Sequence, residues 1–221
     1  MEIIETPSPN FADRPADAVI DMLVIHYTGM VSAAAALSRL RDPAAEVSAH
    51  YLIEEDGAVH RLVDEGDRAW HAGVSFWRGA TNINDRSIGI ELVNPGHEFG
   101  YRAFPADQMA AFRELALGIL GRHPIPARNV VGHSDVAPAR KLDPGELFDW
   151  AAMAAAGIGR WPAQAAGAGG DVPALLAEIG YDVSDLDLAV NAFQRRYRPD
   201  RVDGAVDDET LDRLAAVAAM T

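Results

Sequence analysis

The first 160 residues alternate between two kinds of hydrophobic pattern. Short apolar runs rich in β-branched residues predict strands at 19–25, 49–54, 59–63, 87–93 and 129–131. Segments whose apolar positions recur with the period of an α-helix predict helices at 32–41, 105–122 and 145–156. Ser32 would cap the first helix, and Asp56-Gly57 would form the turn of a hairpin between the second and third strands. This order predicts an α/β (α+β) fold, a mixed central β-sheet flanked by helices.

A change in composition divides the chain near residue 160. Residues 161–170 are rich in Gly and Ala and have little to bury, which is typical of a flexible linker. Beyond it, the pattern predicts three short helices at 172–180, 186–198 and 208–219. We therefore expect a catalytic domain at 1–160, a linker at 161–170 and a small three-helix C-terminal domain at 171–221. So short a unit has a marginal core, which favours a binding role over a catalytic one.

The charge and composition restrict the possible partners. With 33 acidic and 19 basic residues the chain has a formal net charge of −14, which disfavours nucleic acid and anionic membranes as partners. Cysteine is absent, so a metal would need His, Asp or Glu ligands. The N-terminal residues lack the basic and apolar regions of a signal peptide, and no apolar run approaches the length of a membrane span. These features predict a cytoplasmic protein.

Three residues have the chemistry of a zinc site. His26 and His133 each follow a short apolar run, and Asp143 lies in a Lys-Leu-Asp-Pro-Gly loop ten residues after His133. Two imidazoles and one carboxylate suit Zn²⁺, and three protein ligands leave a fourth position open, which indicates a catalytic site. Taken singly, each histidine could equally be a packed or solvent-facing residue. Together with Asp143 they favour a zinc hydrolase.

Two further residues predict the rest of the chemistry. Glu91 lies within an otherwise apolar strand pattern, where burial would raise its pKa toward the value that a general base needs near neutral pH. The alternative is an edge residue that faces solvent or pairs with Arg86. Lys141, two residues before Asp143, lies within reach of the same cavity and would stabilise a developing oxyanion. These parts suit amide hydrolysis, because a poor leaving amine must be protonated.

The substrate-binding residues are less clearly marked. His50 and His71 could line a groove or simply pack, and Trp70, with Trp77, could form an apolar wall or belong to the core. Asn82 completes the set of expected substrate-binding residues, which is His50, Trp70, His71 and Asn82.

Five ordered segments carry a resemblance to a known family. They are IHYT (25–28), VSAHYLI (47–53), AWHAG (69–73), NDRSIGIELVN (84–94) and GHSDVAPARKLDPG (132–145). In these segments the chain resembles the type-2 N-acetylmuramoyl-L-alanine amidases. The resemblance implies Zn²⁺ bound by His26, His133 and Asp143, with Glu91 as catalytic base and Lys141 as transition-state stabiliser. It also implies hydrolysis of the amide between the lactyl group of (anhydro-)N-acetylmuramic acid and the L-alanine of the stem peptide, in peptidoglycan turnover or recycling.

The C-terminal residues carry a second resemblance. Segments 189–197 and 202–211, with their Phe-Gln and Asp-Gly…Thr-Leu marks, are similar to the three-helix peptidoglycan-binding domain. This implies peptidoglycan fragments or the cell wall as the partner. A wall-binding unit favours the periplasm or envelope, whereas the apparent lack of an export signal favours the cytoplasm, which we retain as the prediction. A sensor that binds muropeptides without cleaving them, and a zinc amidase acting on an unrelated amide, remain alternatives.

Overall fold

The structure is a computed structural model that describes residues 2–163 and 169–220. Its strands are β1 (Ile3–Glu5), β2 (Phe11–Asp13), β3 (Met22–Tyr27), β4 (Tyr51–Ile53), β5 (Val59–Arg61), β6 (Asp67–Ala69), β7 (Phe76–Trp77), β8 (Ala80–Thr81), β9 (Ser87–Leu92) and β10 (Val130–Gly132). Its helices are α1 (Ala33–Leu40), α2 (Gly96–Phe99), α3 (Ala106–Arg122), α4 (His133–Val136), α5 (Trp150–Ala155), α6 (Val172–Ile179), α7 (Leu186–Tyr197) and α8 (Asp208–Ala218).

The central sheet is mixed. Six strands follow the order β1-β5-β4-β9-β3-β10, in which β4 and β5 are antiparallel and the other neighbours are parallel. The β4–β5 hairpin turns at Gly57, whose positive φ of 89° favours glycine. The predicted α/β fold, a mixed sheet flanked by helices, is confirmed. The short strands β1, β2, β6, β7 and β8 were not predicted, because two or three residues carry too little periodicity.

The alternation of side chains along β3 shows how the sheet is covered. Leu23 and Ile25 point to one face and pack in a core with α3 and α5. Met22 and Val24 point to the opposite face and share a core with residues of α6, α7 and α8. His26 follows the alternation of Met22 and Val24, so its ring lies on the face that the C-terminal helices cover.

Two predicted elements have different bounds from those expected. The strand expected at 19–25 begins later and includes His26, because Val19 is 58% exposed and has no sheet neighbour there. The helix expected from 145 begins at Trp150. Gly145 has a positive φ of 84°, which a right-handed helix does not accept, and Asp149 caps the helix by accepting from the Ala152 N–H.

The three C-terminal helices lie close to their expected positions and pack on the sheet. Arg196 of α7 pairs with Asp135 of α4 at 2.7 Å, and Tyr181 donates to the same carboxylate at 2.6 Å. Residues 164–168 of the predicted linker lie outside the described residues, and the domain boundary stays a prediction. In the described part of the chain no helix combines the length and hydrophobicity that crossing a membrane requires.

Candidate metal centre

The register of three parallel strands brings the sequence-distant residues together. His26 of β3 lies opposite Glu91 of β9, and Ile25 lies opposite Gly132, the last residue of β10. His133 follows Gly132 directly, so both histidines and Glu91 stand at the same level of the sheet. Functional groups commonly gather at this carboxyl end of parallel strands. The position of these residues thus follows from strand pairing.

Asp143 completes a cluster with the two histidines. Nδ1 of His26 lies 2.9 Å from Nδ1 of His133, and each nitrogen lies 3.0 Å from Oδ2 of Asp143. All three side chains are buried, and one ligand atom from each lies within 4.8 Å of the other two. The backbone also fixes the loop, because the Ser134 N–H donates to the Asp143 carbonyl at 2.8 Å. This is a possible metal site of the His-His-Asp type.

The hydrogen bonds of His133 fit a metal ligand. Its Nε2 lies 3.1 Å from the carbonyl oxygen of Ala72, which only accepts, so Nε2 carries the proton. Nδ1 is then a bare lone pair that faces the carboxylate of Asp143. Two electron-rich atoms at this distance repel unless a cation or a proton lies between them. A second interaction that orients the ring of a ligand histidine is typical of metal sites.

Burial and charge keep His26 and Asp143 in the forms that bind a metal. Burial, reinforced by repulsion from His133, lowers the pKa of His26 to about 4, so its ring is neutral at pH 7. Burial also lowers the pKa of His71 well below its usual value. For Asp143, burial alone would raise the pKa, but the adjacent imidazoles of His133 and His26 outweigh it and lower the pKa. A neutral imidazole and an ionised carboxylate are the forms that bind a metal.

Glu91 has the opposite electrostatic environment. Burial, reinforced by the negative charge of Asp143, raises the pKa of Glu91 to about 8, and the ammonium of Lys141 opposes this shift. Its Oε2 is buried and has no hydrogen-bond partner among the described residues. The carboxyl group can therefore take up and release a proton near neutral pH, as a general base requires.

A cavity of about 430 Å³ opens onto the cluster. Glu91, His133 and Asp143 form part of its wall, together with Lys141 and Trp70. Polar side chains of Thr28, Arg39, His97, Glu98 and Arg140 also line it. The space accommodates a ligand of several functional groups, with His133 and Asp143 of the cluster in its wall.

The four expected substrate-binding residues separate into two pairs. Trp70 and His71 line the cavity, although His71 is only 8% exposed and its ring contacts His26. His50 is 0% exposed: Nδ1 accepts from the Gly89 N–H and Nε2 contacts Arg14, so it belongs to the core. Asn82 is exposed and lies away from the cavity. Neither His50 nor Asn82 presents a side chain to the cavity, so the cavity does not support a role for them in substrate binding, which stays a prediction.

Two residues that sequence reasoning missed hold the wall of the cavity. Oδ1 of the buried Asn84 accepts from the N–H groups of His71 and Ala72 at 3.1 and 2.8 Å. Arg140 donates to the Ala72 carbonyl at 3.1 Å, the same oxygen that accepts from His133. Nothing in the pattern of the sequence distinguishes this asparagine or arginine from a surface residue, because their partners are backbone groups.

Comparison with known proteins identifies the family. A model of the N-acetylmuramoyl-L-alanine amidase family matches residues 16–146. The chain is 40% identical to the N-acetylmuramoyl-L-alanine amidase AmiD of Escherichia coli K12, over 86% of this chain and 79% of the relative. A solved complex of E. coli AmiD with the substrate anhydro-N-acetylmuramic acid-L-Ala-D-gamma-Glu-L-Lys superposes with a TM-score of 0.81 and 35% identity. That match covers 96% of this chain and 98% of the solved one.

A second solved structure agrees over nearly the whole chain. AmpDh3 of Pseudomonas aeruginosa, in complex with anhydromuramic pentapeptide, superposes with a TM-score of 0.83 and 34% identity, over 96% of this chain and 97% of the other. Since both matches extend over nearly the whole chain, they include the C-terminal helices as well as the sheet. The resemblance in the five sequence segments is thereby confirmed. The chain belongs to the N-acetylmuramoyl-L-alanine amidase family.

Proposed function

We propose that this protein is a zinc-dependent amidase that cleaves the amide between the lactyl group of (anhydro-)N-acetylmuramic acid and L-alanine. One observation carries the proposal: three ligand atoms from His26, His133 and Asp143 converge within 4.8 Å, beside a carboxyl group whose pKa is raised to about 8. The donor set of two nitrogens and one oxygen suits Zn²⁺ and leaves a position open toward the cavity.

The chain supplies the acid–base and electrostatic parts of the reaction. Zinc supplies Lewis acidity, which polarises a carbonyl and acidifies water. Glu91 accepts the proton of the attacking water and passes it to the leaving nitrogen of L-alanine, which is a poor leaving group until protonated. Lys141 lines the same cavity, and its ammonium group stabilises the negative charge that develops on the carbonyl oxygen. A donor of this kind typically contributes about 3–4 kcal/mol in the transition state.

The substrate class follows from the relatives and from the shape of the cavity. Solved structures of AmiD and AmpDh3 hold anhydromuramic acid joined to a peptide. In this chain Trp70 offers an apolar wall beside the cluster, and His97 and Glu98 offer polar groups at the rim. Together these features suit a ligand that has both a sugar ring and a peptide. We propose muropeptides as substrates on this basis.

A cleavage assay tests the proposal. Zinc-loaded protein is incubated with anhydro-N-acetylmuramyl tripeptide, and mass spectrometry follows release of a peptide that begins with L-alanine. We expect release to stop on chelation and to return on addition of zinc. Glu91→Gln should reduce the rate at least about 100-fold with zinc still bound. Glu55→Gln is the matched control, because its carboxylate pairs with Arg102 on the surface.

Two outcomes would favour the alternatives. Binding of the tripeptide without cleavage, at full zinc occupancy, would identify a sensor rather than an enzyme. Cleavage of simple N-acyl peptides at a rate equal to that of the muropeptide would identify an amidase of broader specificity. The same assay with ordinary muramyl peptides shows whether the anhydro ring affects the rate of cleavage.

The C-terminal unit and the location are further proposals. We propose that helices α6–α8 bind peptidoglycan, on the strength of the motif resemblance at 189–197 and 202–211. We retain the cytoplasm as the proposed location, where soluble fragments would be the substrates. Binding and cleavage of intact sacculi, compared with binding and cleavage of soluble fragments, test both the role of α6–α8 and the choice of substrate. Cell fractionation of the native protein tests the location directly.

A further inference from the structure

A glycine in the middle of a buried strand marks a close approach behind the metal centre. Gly89 lies in β9, where a glycine otherwise weakens a sheet. A Cβ at this position would stand 2.6 Å from the ring of His71, so any side chain would displace that ring. His71 therefore rests on the sheet directly behind His26. The edges of the two rings meet, with 5.1 Å between the ring centres.

A chain of hydrogen bonds leads from this histidine to the ligand. Nε2 of His26, the nitrogen opposite its ligand atom, lies 3.1 Å from Nδ1 of His71. Nε2 of His71 lies 3.2 Å from Oγ of Ser87. The Ser87 hydroxyl in turn donates to the carbonyl oxygen of Ile83 at 2.7 Å.

The Ser87–Ile83 hydrogen bond, at the far end of this series, fixes which atom donates in every other hydrogen bond of the series. A hydroxyl has one hydrogen, and the Ile83 carbonyl can only accept, so Ser87 must accept from Nε2 of His71. The neutral ring of His71 then has a bare Nδ1, which accepts from Nε2–H of His26. Nδ1 of His26 is left bare and faces the position of the ion. The reverse direction would leave two oxygens 2.7 Å apart with no proton between them.

The two ligand histidines differ in how their orientation is fixed. For His133 a single backbone carbonyl, that of Ala72, is sufficient. The partner of His26 is an imidazole, which can donate or accept. Only the Ser87–Ile83 hydrogen bond therefore decides which of the two rings, His26 or His71, donates to the other. We propose that His71, set by Ser87, is a positioning residue that holds His26 as a metal ligand with its Nδ1 bare. This inference rests on the metal site of the proposed function.

Zinc affinity of the whole protein, measured by competition with a chelator, tests the role of His71. His71→Leu removes the acceptor, and we expect zinc to bind about 10–100-fold more weakly, as for other partners that orient a ligand. His71→Asn retains an acceptor oxygen near the place of Nδ1 and should restore affinity to within about 3-fold. Ser87→Ala removes the hydroxyl that sets the direction of the His71 hydrogen bonds, and its zinc affinity should lie between those of His71→Leu and His71→Asn. His60 is another buried histidine of the sheet, and His60→Leu is the control. This variant should bind zinc as tightly as the wild type.

Nitrogen NMR of the histidine rings gives a readout that does not depend on catalytic activity. In the metal-free wild-type protein, His26 should carry its proton on Nε2, and in Ser87→Ala this preference should be reduced. A proton found on Nδ1 of His26, or a folded His71→Leu protein with unchanged zinc affinity, would overturn the inference. Should His71→Leu fail to fold, Ser87→Ala and the wild-type spectrum still decide the matter.

The same experiments separate this inference from the proposed function. If His26→Ala also leaves zinc affinity unchanged, the metal site itself is wrong, and the positioning role fails with it. If zinc binds tightly and depends on His71 but no muropeptide is cleaved, the positioning role stands and the proposed activity is wrong.

Discussion

Two clusters of buried charge lie close together near the end of β10, and they are built in opposite ways. In the first, Asp135 accepts from Arg196, Tyr181 and the Gly132 N–H, so both of its oxygens are occupied. In the second, Oε2 of Glu91 is buried without a partner among the described residues. The paired carboxylate joins α4 to the C-terminal helices, whereas the unpaired one has a raised pKa and lines a cavity.

Asp135 is buried and so is Oε2 of Glu91, so the difference between the two groups lies in the partner. Burial of a charge is tolerated when an opposite charge and hydrogen bonds compensate it. Arg196 supplies both to Asp135, and its guanidinium also lies 4.0 Å over the ring of Trp150. Among the described residues, Oε2 of Glu91 has no such partner, so the proton is retained to a higher pH. Burial thus produces a structural pair in one cluster and a proton-transfer group in the other.

Removal of the arginine should have the largest effect on stability. Arg196→Met leaves Asp135 buried without its counter-charge, and we expect the free energy of unfolding to fall by about 3–5 kcal/mol in urea titrations. The double variant Asp135→Asn/Arg196→Met, which has no charge to strand, should recover part of this loss. A loss below about 1 kcal/mol in the single variant would show that Asp135 is not held by this pair.

Zinc should stabilise the other cluster by a smaller amount. Three lone-pair atoms are held together in the fold but not in the unfolded chain, so zinc at about 100 times its Kd should raise the free energy of unfolding by roughly 2.7 kcal/mol. The comparison is made between urea titrations with zinc and with a chelator. Asp143→Asn weakens one ligand and should remove most of the gain; an equal gain in that variant would place the ion elsewhere.

The raised pKa of Glu91 gives a dependence of stability on pH in the metal-free protein. Between about pH 4.5 and 8 the unfolded chain ionises this group while the folded one keeps it protonated, so stability falls as the pH rises. Water in the cavity reduces the effect, and we expect the wild type to lose about 1–2 kcal/mol relative to Glu91→Gln across this range. Parallel profiles for the two proteins would show that Glu91 is ionised throughout.

The smallest effect is expected for a pair on the surface. Arg201 of the C-terminal unit contacts Asp203 and Asp207 at 2.6 and 2.8 Å, but its side chain is half exposed. Arg201→Met should lower the free energy of unfolding by less than about 1 kcal/mol, and 1 M salt should remove the difference. An effect as large as that of Arg196→Met would mean that the number of contacts matters more than burial.

The sequence was sufficient to predict the convergence of the cluster. His26, Glu91 and His133 each adjoin an apolar strand pattern, and parallel strands bring such positions to one end of a sheet. For Trp70 the sequence left two possibilities open, an apolar wall or the core, and the structure shows that it lines the cavity. The metal, the base role of Glu91 and the role of Lys141 remain predictions that the experiments above test.

Other positions could not be derived from pattern. His50 lies beside a strand like the ligand histidines, but its ring points into the core, and only the sheet neighbours decide that direction. Asn84 and Arg140 act through backbone groups that are distant in sequence, so residue type alone gives no signal. The helix α5 cannot begin at Gly145, because that residue has a positive φ. Hydrophobic periodicity gives no information on backbone angles, so it could not predict this start.

The attachment of α7 to Asp135 has a consequence for protein engineering. Asp135 is two residues from His133, so an arginine of α7 neutralises a buried carboxylate next to the predicted metal ligand. A chimera that exchanges these helices for an unrelated helical unit would leave the negative charge of Asp135 buried without a partner, beside the loop that holds His133. Successful grafting would require the incoming module to supply its own cation at that point, or the host to replace the aspartate first.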